Sequence, residues 1–201
     1  MILDVSKWQG VIDWKKVFKS GENIDGVIIR AGTGDGGLDP QFKNNLDGVT
    51  MHAPFDVPGK RQLLLDIYKF SYARKYGDAF LECADLIEKV RTVCFPDMFG
   101  HLWLDLEKWG DRDYTTSETN DVIKGYLDAT KANNMKLGLY CNYNYIKNII
   151  DPRWSSGLPL WVARYNSQLG DVSPWKPYLW QYTSEGHVPG ISGNVDCSRF
   201  M

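Results

Sequence analysis

The feature that most constrains this chain is its rhythm. A short apolar run and then a helical pattern, or the residues for one, recur five times before residue 151. "MILDVS" precedes "IDWKKVFKSG", a short helix closed by Gly21, and "IDGVIIRAGTG" precedes the brief helix "DPQFKNNLDGV". Residues 49–62 carry Pro54, Pro58 and Gly59 and read as a loop. "QLLLDIYKFSYA" is the third strand, and Phe80, Cys83, Ala84, Ile87 and Val90 then form a helical stripe between Lys75 and Arg91. "HLWLDLEKW" is the fourth strand. Thr115 with Glu118 makes a capping box opening a helix to about Asn134. "MKLGLYCNY" and "YIKNIID" complete the fifth pair. "LPLWVARY", "PYLWQYTS" and "NVDCSRF" then read as strands whose Pro-, Gly-, Ser- and Asn-rich connections leave no room for long helices. The expected fold is α/β: an irregular (β/α) barrel of about five β/α units followed by three closing strands. With no repeat, low-complexity stretch or linker, residues 1–201 are expected to form a single barrel domain. Active sites of such barrels lie at the C-terminal ends of the strands, and Asp4, Asp105, Glu107 and Asp196 all sit near strand ends in this reading.

The fourth strand carries the sharpest chemical signal. Side chains of a strand alternate faces. Leu102, Leu104 and Leu106 therefore point one way, and Trp103, Asp105 and Glu107 the other. The Cα atoms of the two acids lie roughly 6–7 Å apart at about 3.3 Å per residue. Paired carboxylates in a cleft are what glycosidic-bond hydrolysis needs. An edge strand with a solvated outer face gives the same alternation and is its commoner origin.

Composition narrows the classes. A net charge of −2 leaves no polybasic footprint for nucleic acid or an anionic membrane. No apolar run is long enough to span a bilayer, and no signal peptide is recognisable. Release by a phage-type route or a trimmed leader would account for that. Eight Trp and eleven Tyr suit a sugar-binding cleft, although some must fill the core. Cys83, Cys94, Cys141 and Cys197 match no metal template and are expected as free thiols. His52, His101 and His187 follow no ligand spacing, and the Gly32–Gly37 loop lacks the lysine and helix of a phosphate-binding loop.

Six blocks carry a resemblance: "DVSKWQGVIDW" at 4–14, "GVIIRAGTG" at 26–34, "LDLE" at 104–107, "GLYCN" at 138–142, "LWVARY" at 160–165 and "LWQYTSEGHVPGISGNVD" at 179–196. In that order the chain resembles glycoside hydrolase family 25, the Chalaropsis-type lysozymes or N-acetylmuramidases of phage lysins and bacterial autolysins. The resemblance implies cleavage of the β-1,4 bond between N-acetylmuramic acid and N-acetylglucosamine in bacterial peptidoglycan, outside the cell or at the wall. It implies no metal or organic cofactor, and a monomer is expected. By position, Glu107 matches the general acid, Asp105 its Asp-x-Glu partner, and Asp4 and Asp196 the opening and closing acids. Tyr68, Tyr140 and Gln181 match cleft positions, with Trp161 and Tyr165 of the "LWVARY" block placed beside them. Arg30 is either a substrate contact or a neutraliser of the acids.

Two features depart from the family. Lys69 stands where a histidine is common, and residues 46–62 carry a proline-containing loop in place of a small-residue helix. Both are expected at the rim of the cleft, where Lys69 would attract carboxylates of the lactyl group or stem peptide.

The chemistry asks Glu107 to hold a proton near working pH, which neighbouring acids favour. Asp105 then either orients the substrate's own 2-acetamido group as nucleophile, or an acid activates water with inversion. A non-catalytic wall-binding barrel and a chitin-directed glycosidase stand as alternatives.

Overall fold

The computed structural model describes residues 1–34, 36–55 and 62–201. Among these, eight strands close into one barrel in chain order: β1 (Ile2–Val5), β2 (Gly26–Thr33), β3 (Leu64–Phe70), β4 (Leu102–Asp105), β5 (Leu137–Asn142), β6 (Leu160–Ala163), β7 (Pro177–Gly186) and β8 (Val195–Phe200). Strands β1 to β7 run parallel to their neighbours, while β8 is antiparallel to both β7 and β1. Helices α1 (Trp14–Lys19), α2 (Phe42–His52), α3 (Tyr76–Arg91), α4 (Thr116–Ala132) and α5 (Tyr143–Asn148) follow the first five strands in turn. Five β/α units and three closing strands are thus observed as expected.

Local chemistry sets the elements. Asp13 caps α1 by accepting from the Lys16 N–H at 2.9 Å. The capping box at α4 is formed: Glu118 N–H reaches Thr115 Oγ1 at 3.2 Å, and Thr115 N–H reaches Glu118 Oε2 at 2.9 Å. Arg112 also pairs with Glu118 at 2.6 Å, and these bonds hold the Glu118 carboxyl far below its usual range. Gly125 lets α4 approach α3, since a Cβ there would lie 2.6 Å from the Tyr76 carbonyl oxygen.

One expectation is corrected. The loop read from residue 49 onward is helical as far as His52. Phe42, Leu46 and Val49 continue a buried stripe, and Ala53 N–H closes the helix on the Val49 carbonyl at 2.8 Å. Gly48 is where α2 meets α1; a Cβ there would lie 2.0 Å from the Trp14 ring. Pro58 and Gly59, with the rest of residues 56–61 of the expected loop, lie outside the described residues, as does Asp35 of the Gly32–Gly37 loop.

Alternation divides the strands into two packed layers. Leu3, Val27, Ile67, Leu102, Leu104, Leu139 and Val162 face the helices in the outer core. Ile2, Ile28, Trp103, Trp161 and Leu179 fill the barrel interior. Below them Asp66 is fully buried, accepting from His101 N–H and Trp103 Nε1–H, each at 2.8 Å. The indoles and this carboxylate plug the lower barrel, so polar inward positions are concentrated at the opposite end.

Candidate active site

The upper inward positions bring the predicted acids together. Asp4 on β1 and Asp196 on β8 are direct register partners across the antiparallel pair. Asp105 ends β4, with Phe70 and Tyr140 as its register partners on β3 and β5. The Leu106 N–H continues the ladder to the Tyr140 carbonyl at 2.9 Å, and Glu107 emerges one residue later, half-buried. The Asp105 and Glu107 side chains therefore share the inner face that alternation assigned to them.

Electrostatics at this end favour bound protons. Burial pushes the Asp105 carboxyl well above its usual range, with Glu107 and Asp4 adding to it and Arg30 opposing. Asp4 is raised by burial and then by Asp196, against a hydrogen bond from Tyr68 and the charge of Arg30. Glu107 is raised by burial and then by Asp196, and Asp196 by burial. Like charges confined in a desolvated space cannot all ionise together. The cluster can thus hold a proton to higher pH than isolated carboxyls would while presenting negative charge to a developing cation. Asp105 Oδ1 is buried with no hydrogen-bond partner among the described residues, which leaves an acceptor aimed at no protein group.

The remaining predicted residues separate. The Tyr68 hydroxyl donates to Asp4, and its ring meets Trp161 edge-on with centroids 6.2 Å apart. Gln181 is fully buried between Asp4, Asp196, Tyr140 and Tyr165. Tyr165 is 56% exposed at the mouth. Trp161 lies beneath the cleft, 1% exposed; its ring centroid is 4.4 Å from that of Tyr140, and its Nε1–H is bound to Ser198 Oγ at 3.0 Å. It supports the floor and does not open onto the cleft. Arg30 is held by Asp39, through Nε at 2.7 Å and Nη2 at 2.6 Å, so it acts on the acids only at a distance.

Lys69 is not at the rim. It occupies the outward position of β3, fully buried, with Nζ donating to the Glu82 carbonyl of α3 at 3.1 Å. Alternation turns Lys69 out where it turns Tyr68 in.

Three aromatic residues at this end were not anticipated. Tyr72 and Trp109 lie with ring centroids 4.8 Å apart beyond β3 and β4. Trp8 is 75% exposed on a turn where Ser6 Oγ accepts from Trp8 N–H and Gln9 Oε1 from Ser6 N–H. The Ser6–Gln9 spacing is a capping-box signature legible in "SKWQ". Nothing in the sequence pairs Tyr72 with Trp109, because that contact joins two separate loops.

A closed mixed barrel gathers carboxylates at the C-terminal ends of its parallel strands, and comparison with known proteins supplies the class, a glycoside hydrolase. The model of the glycosyl hydrolases family 25 matches residues 3–191, and the chain belongs to that family. It is similar to the modular autolysin LytC of Streptococcus pneumoniae, with a TM-score of 0.82 and 25% identity, over 98% of this chain and 45% of that one. The CTP1L endolysin gives a TM-score of 0.79 at 26% identity, over 100% of this chain and 66% of the other. An uncharacterised protein of Escherichia coli O157:H7, YegX, is 25% identical over 202 residues, covering 98% of this chain and 68% of its own. This chain thus spans less than half the length of the pneumococcal autolysin.

Proposed function

We propose that the protein hydrolyses bacterial peptidoglycan at the β-1,4 bond between N-acetylmuramic acid and N-acetylglucosamine, with Glu107 as general acid. The observation that carries this is the Asp105–Glu107 pair, turned to one inner face, with raised proton affinity. A solved structure of the pneumococcal autolysin with a synthetic peptidoglycan ligand supports the substrate class.

Glu107, protonated because its surroundings disfavour its charge, delivers a proton to the glycosidic oxygen as the bond to the anomeric carbon lengthens. The substrate's 2-acetamido oxygen closes on that carbon. The Asp105 carboxylate accepts the acetamido N–H, which makes the acetamido oxygen more nucleophilic and stabilises the positive charge on the ring it forms. Glu107, now ionised, takes a proton from the water that reopens this ring, so configuration is retained. Asp4 and Asp196 supply negative potential below an oxocarbenium-like transition state. The i, i+2 placement of Asp105 and Glu107 on one inner face favours this route over a water-activating base. All four acids stand on one closed barrel, which supports residues 1–201 as one catalytic unit acting as a monomer at the cell wall.

The test is turbidity loss of purified peptidoglycan with wild type and Glu107→Gln, with mass spectrometry of the released sugars. Fragments ending in reducing N-acetylmuramic acid are expected, with the variant slower by about 10²–10⁴-fold. Binding to walls without cleavage by the wild type would replace this reading with a glycan-binding barrel. Cleavage of chitin oligomers in preference to walls would replace the substrate.

A further inference from the structure

The geometry points to Gln181 as a positioning residue that favours the charged forms of Asp4 and Asp196 beside Glu107 and so sets the pH window in which Glu107 keeps its proton. This rests on the reading of Glu107 as general acid. Gln181 is fully buried on the inner face of β7, and its amide is saturated. Nε2 donates to Asp4 Oδ2 at 3.1 Å and, at the longer distance of 3.4 Å, to Asp196 Oδ2. Oε1 accepts from the hydroxyls of Tyr140 at 2.8 Å and Tyr165 at 2.9 Å. A primary amide offers two donor hydrogens and two lone pairs, and each has one partner here. The reversed amide would oppose its oxygen to two carboxylates, so the partners fix its direction.

Donation to a carboxylate favours the charged form. Among the described residues, the groups facing this pair of acids are Arg30 from β2, Tyr68 from β3, Asp105 and Glu107 from β4 and just beyond it, Tyr140 from β5, Tyr165 beyond β6 and the Cys197 thiol from β8. Arg30 is hydrogen-bonded to Asp39. Among the described residues, Gln181 donates to both acids, and Tyr68 lowers the proton affinity of Asp4 alone. A lysine in place of Gln181 would also stabilise the carboxylates, but its charge would drive the proton off Glu107. A neutral amide supplies the donors and leaves the negative potential intact.

The test is a carbon-13 carboxyl NMR titration of the full chain as wild type, Gln181→Leu and Gln181→Glu. Asp4 and Asp196 are expected to titrate about one pH unit higher in Gln181→Leu, since a hydrogen bond to a charged group has roughly that worth. The shift should be larger in Gln181→Glu, which adds a negative charge. On purified walls, the kcat profile of Gln181→Leu should narrow from both sides. Its acid limb rises as Asp4 and Asp196 protonate sooner, and its alkaline limb falls as Glu107 loses their charge. Simple damage to the site would lower kcat at every pH without moving either limb. Unmoved carboxyl titrations in a folded variant would overturn the role of Gln181. Shifted titrations in a protein that cuts no wall would keep that role and overturn the hydrolase reading. Should neither variant fold, the wild-type Gln181 side-chain nitrogen decides: its resonance must follow the titration of both acids, and one that ignores them overturns the proposal.

Discussion

Asp105→Asn should remove activity and stabilise the protein at neutral pH. The wild-type side chain is 5% exposed, Oδ1 has no partner among the described residues, and Glu107 and Asp4 add like charge. A buried polar group left unsatisfied costs about 1–3 kcal/mol, more when charged. Asparagine keeps the shape, removes the charge and offers N–H groups to the neighbouring carboxylates. A gain of about 1–3 kcal/mol follows, at roughly 2–4 °C in Tm per kcal/mol for a chain of this size. The sign of the pH dependence is determined. The folded-state pKa of Asp105 lies above its unfolded value, so the native state binds the extra proton between the two. Wild-type stability from this group is then fully present below the unfolded value, about 3.9, and is lost as pH rises through the folded value. The advantage of the variant should therefore be small at about pH 3–4, grow through the acid range and level off above the folded pKa. Thermal unfolding by circular dichroism across pH 3–8 measures it. A variant less stable than wild type at pH 7, or equally advantaged at pH 3, would refute the account of a strained, desolvated carboxylate.

Further consequences follow from other layers of the barrel. Lys69→Met should leave KM on peptidoglycan unchanged and stability within about 1.5 kcal/mol, since the side chain packs against α3 and a flexible apolar chain of similar length fills its place. A raised KM in a folded variant would return Lys69 to the cleft. Gly138→Ala places a Cβ 2.4 Å from the Trp103 ring and should cost about 1–3 kcal/mol, read as a fall in denaturation midpoint; an unchanged midpoint would contradict the tight inner layer.

Most of the architecture is legible in the chain because a barrel of this type writes its topology into periodicity. The helix beginning at residue 76 follows from its apolar stripe, and α4 from its capping box. The end of α2 is not legible: Pro54, Pro58 and Gly59 pull the loop boundary back to residue 49, and only Trp14, distant in sequence, shows why position 48 needs glycine. Long-range pairings are hidden for the same reason. Arg30 with Asp39, Gln181 with Asp4, and Tyr72 with Trp109 each join separate elements, and no local pattern encodes them.

Lys69 differs from these, because its position was readable. The alternation that places Asp105 and Glu107 on one face, applied to "LLDIYKF", puts Asp66, Tyr68 and Phe70 inside and Lys69 outside. Family position pointed the other way, since it carries over a residue's neighbourhood but not its face. Trp161 shows a complementary limit. Its inward parity is correct, yet it lies in the layer below the acids, 1% exposed. Parity selects the barrel interior, and height along the strand decides whether an inward residue meets substrate or supports those that do. In β6 the residue two beyond Trp161 is Ala163, register partner of Gln181. A small side chain at that height leaves room above the indole floor, where the glutamine, the tyrosines and the acids converge. The polar cluster therefore depends on what fills the layer beneath it. Three hydrogen bonds in the lower barrel, Trp103 and His101 to Asp66 and Trp161 to Ser198, fix that layer in place.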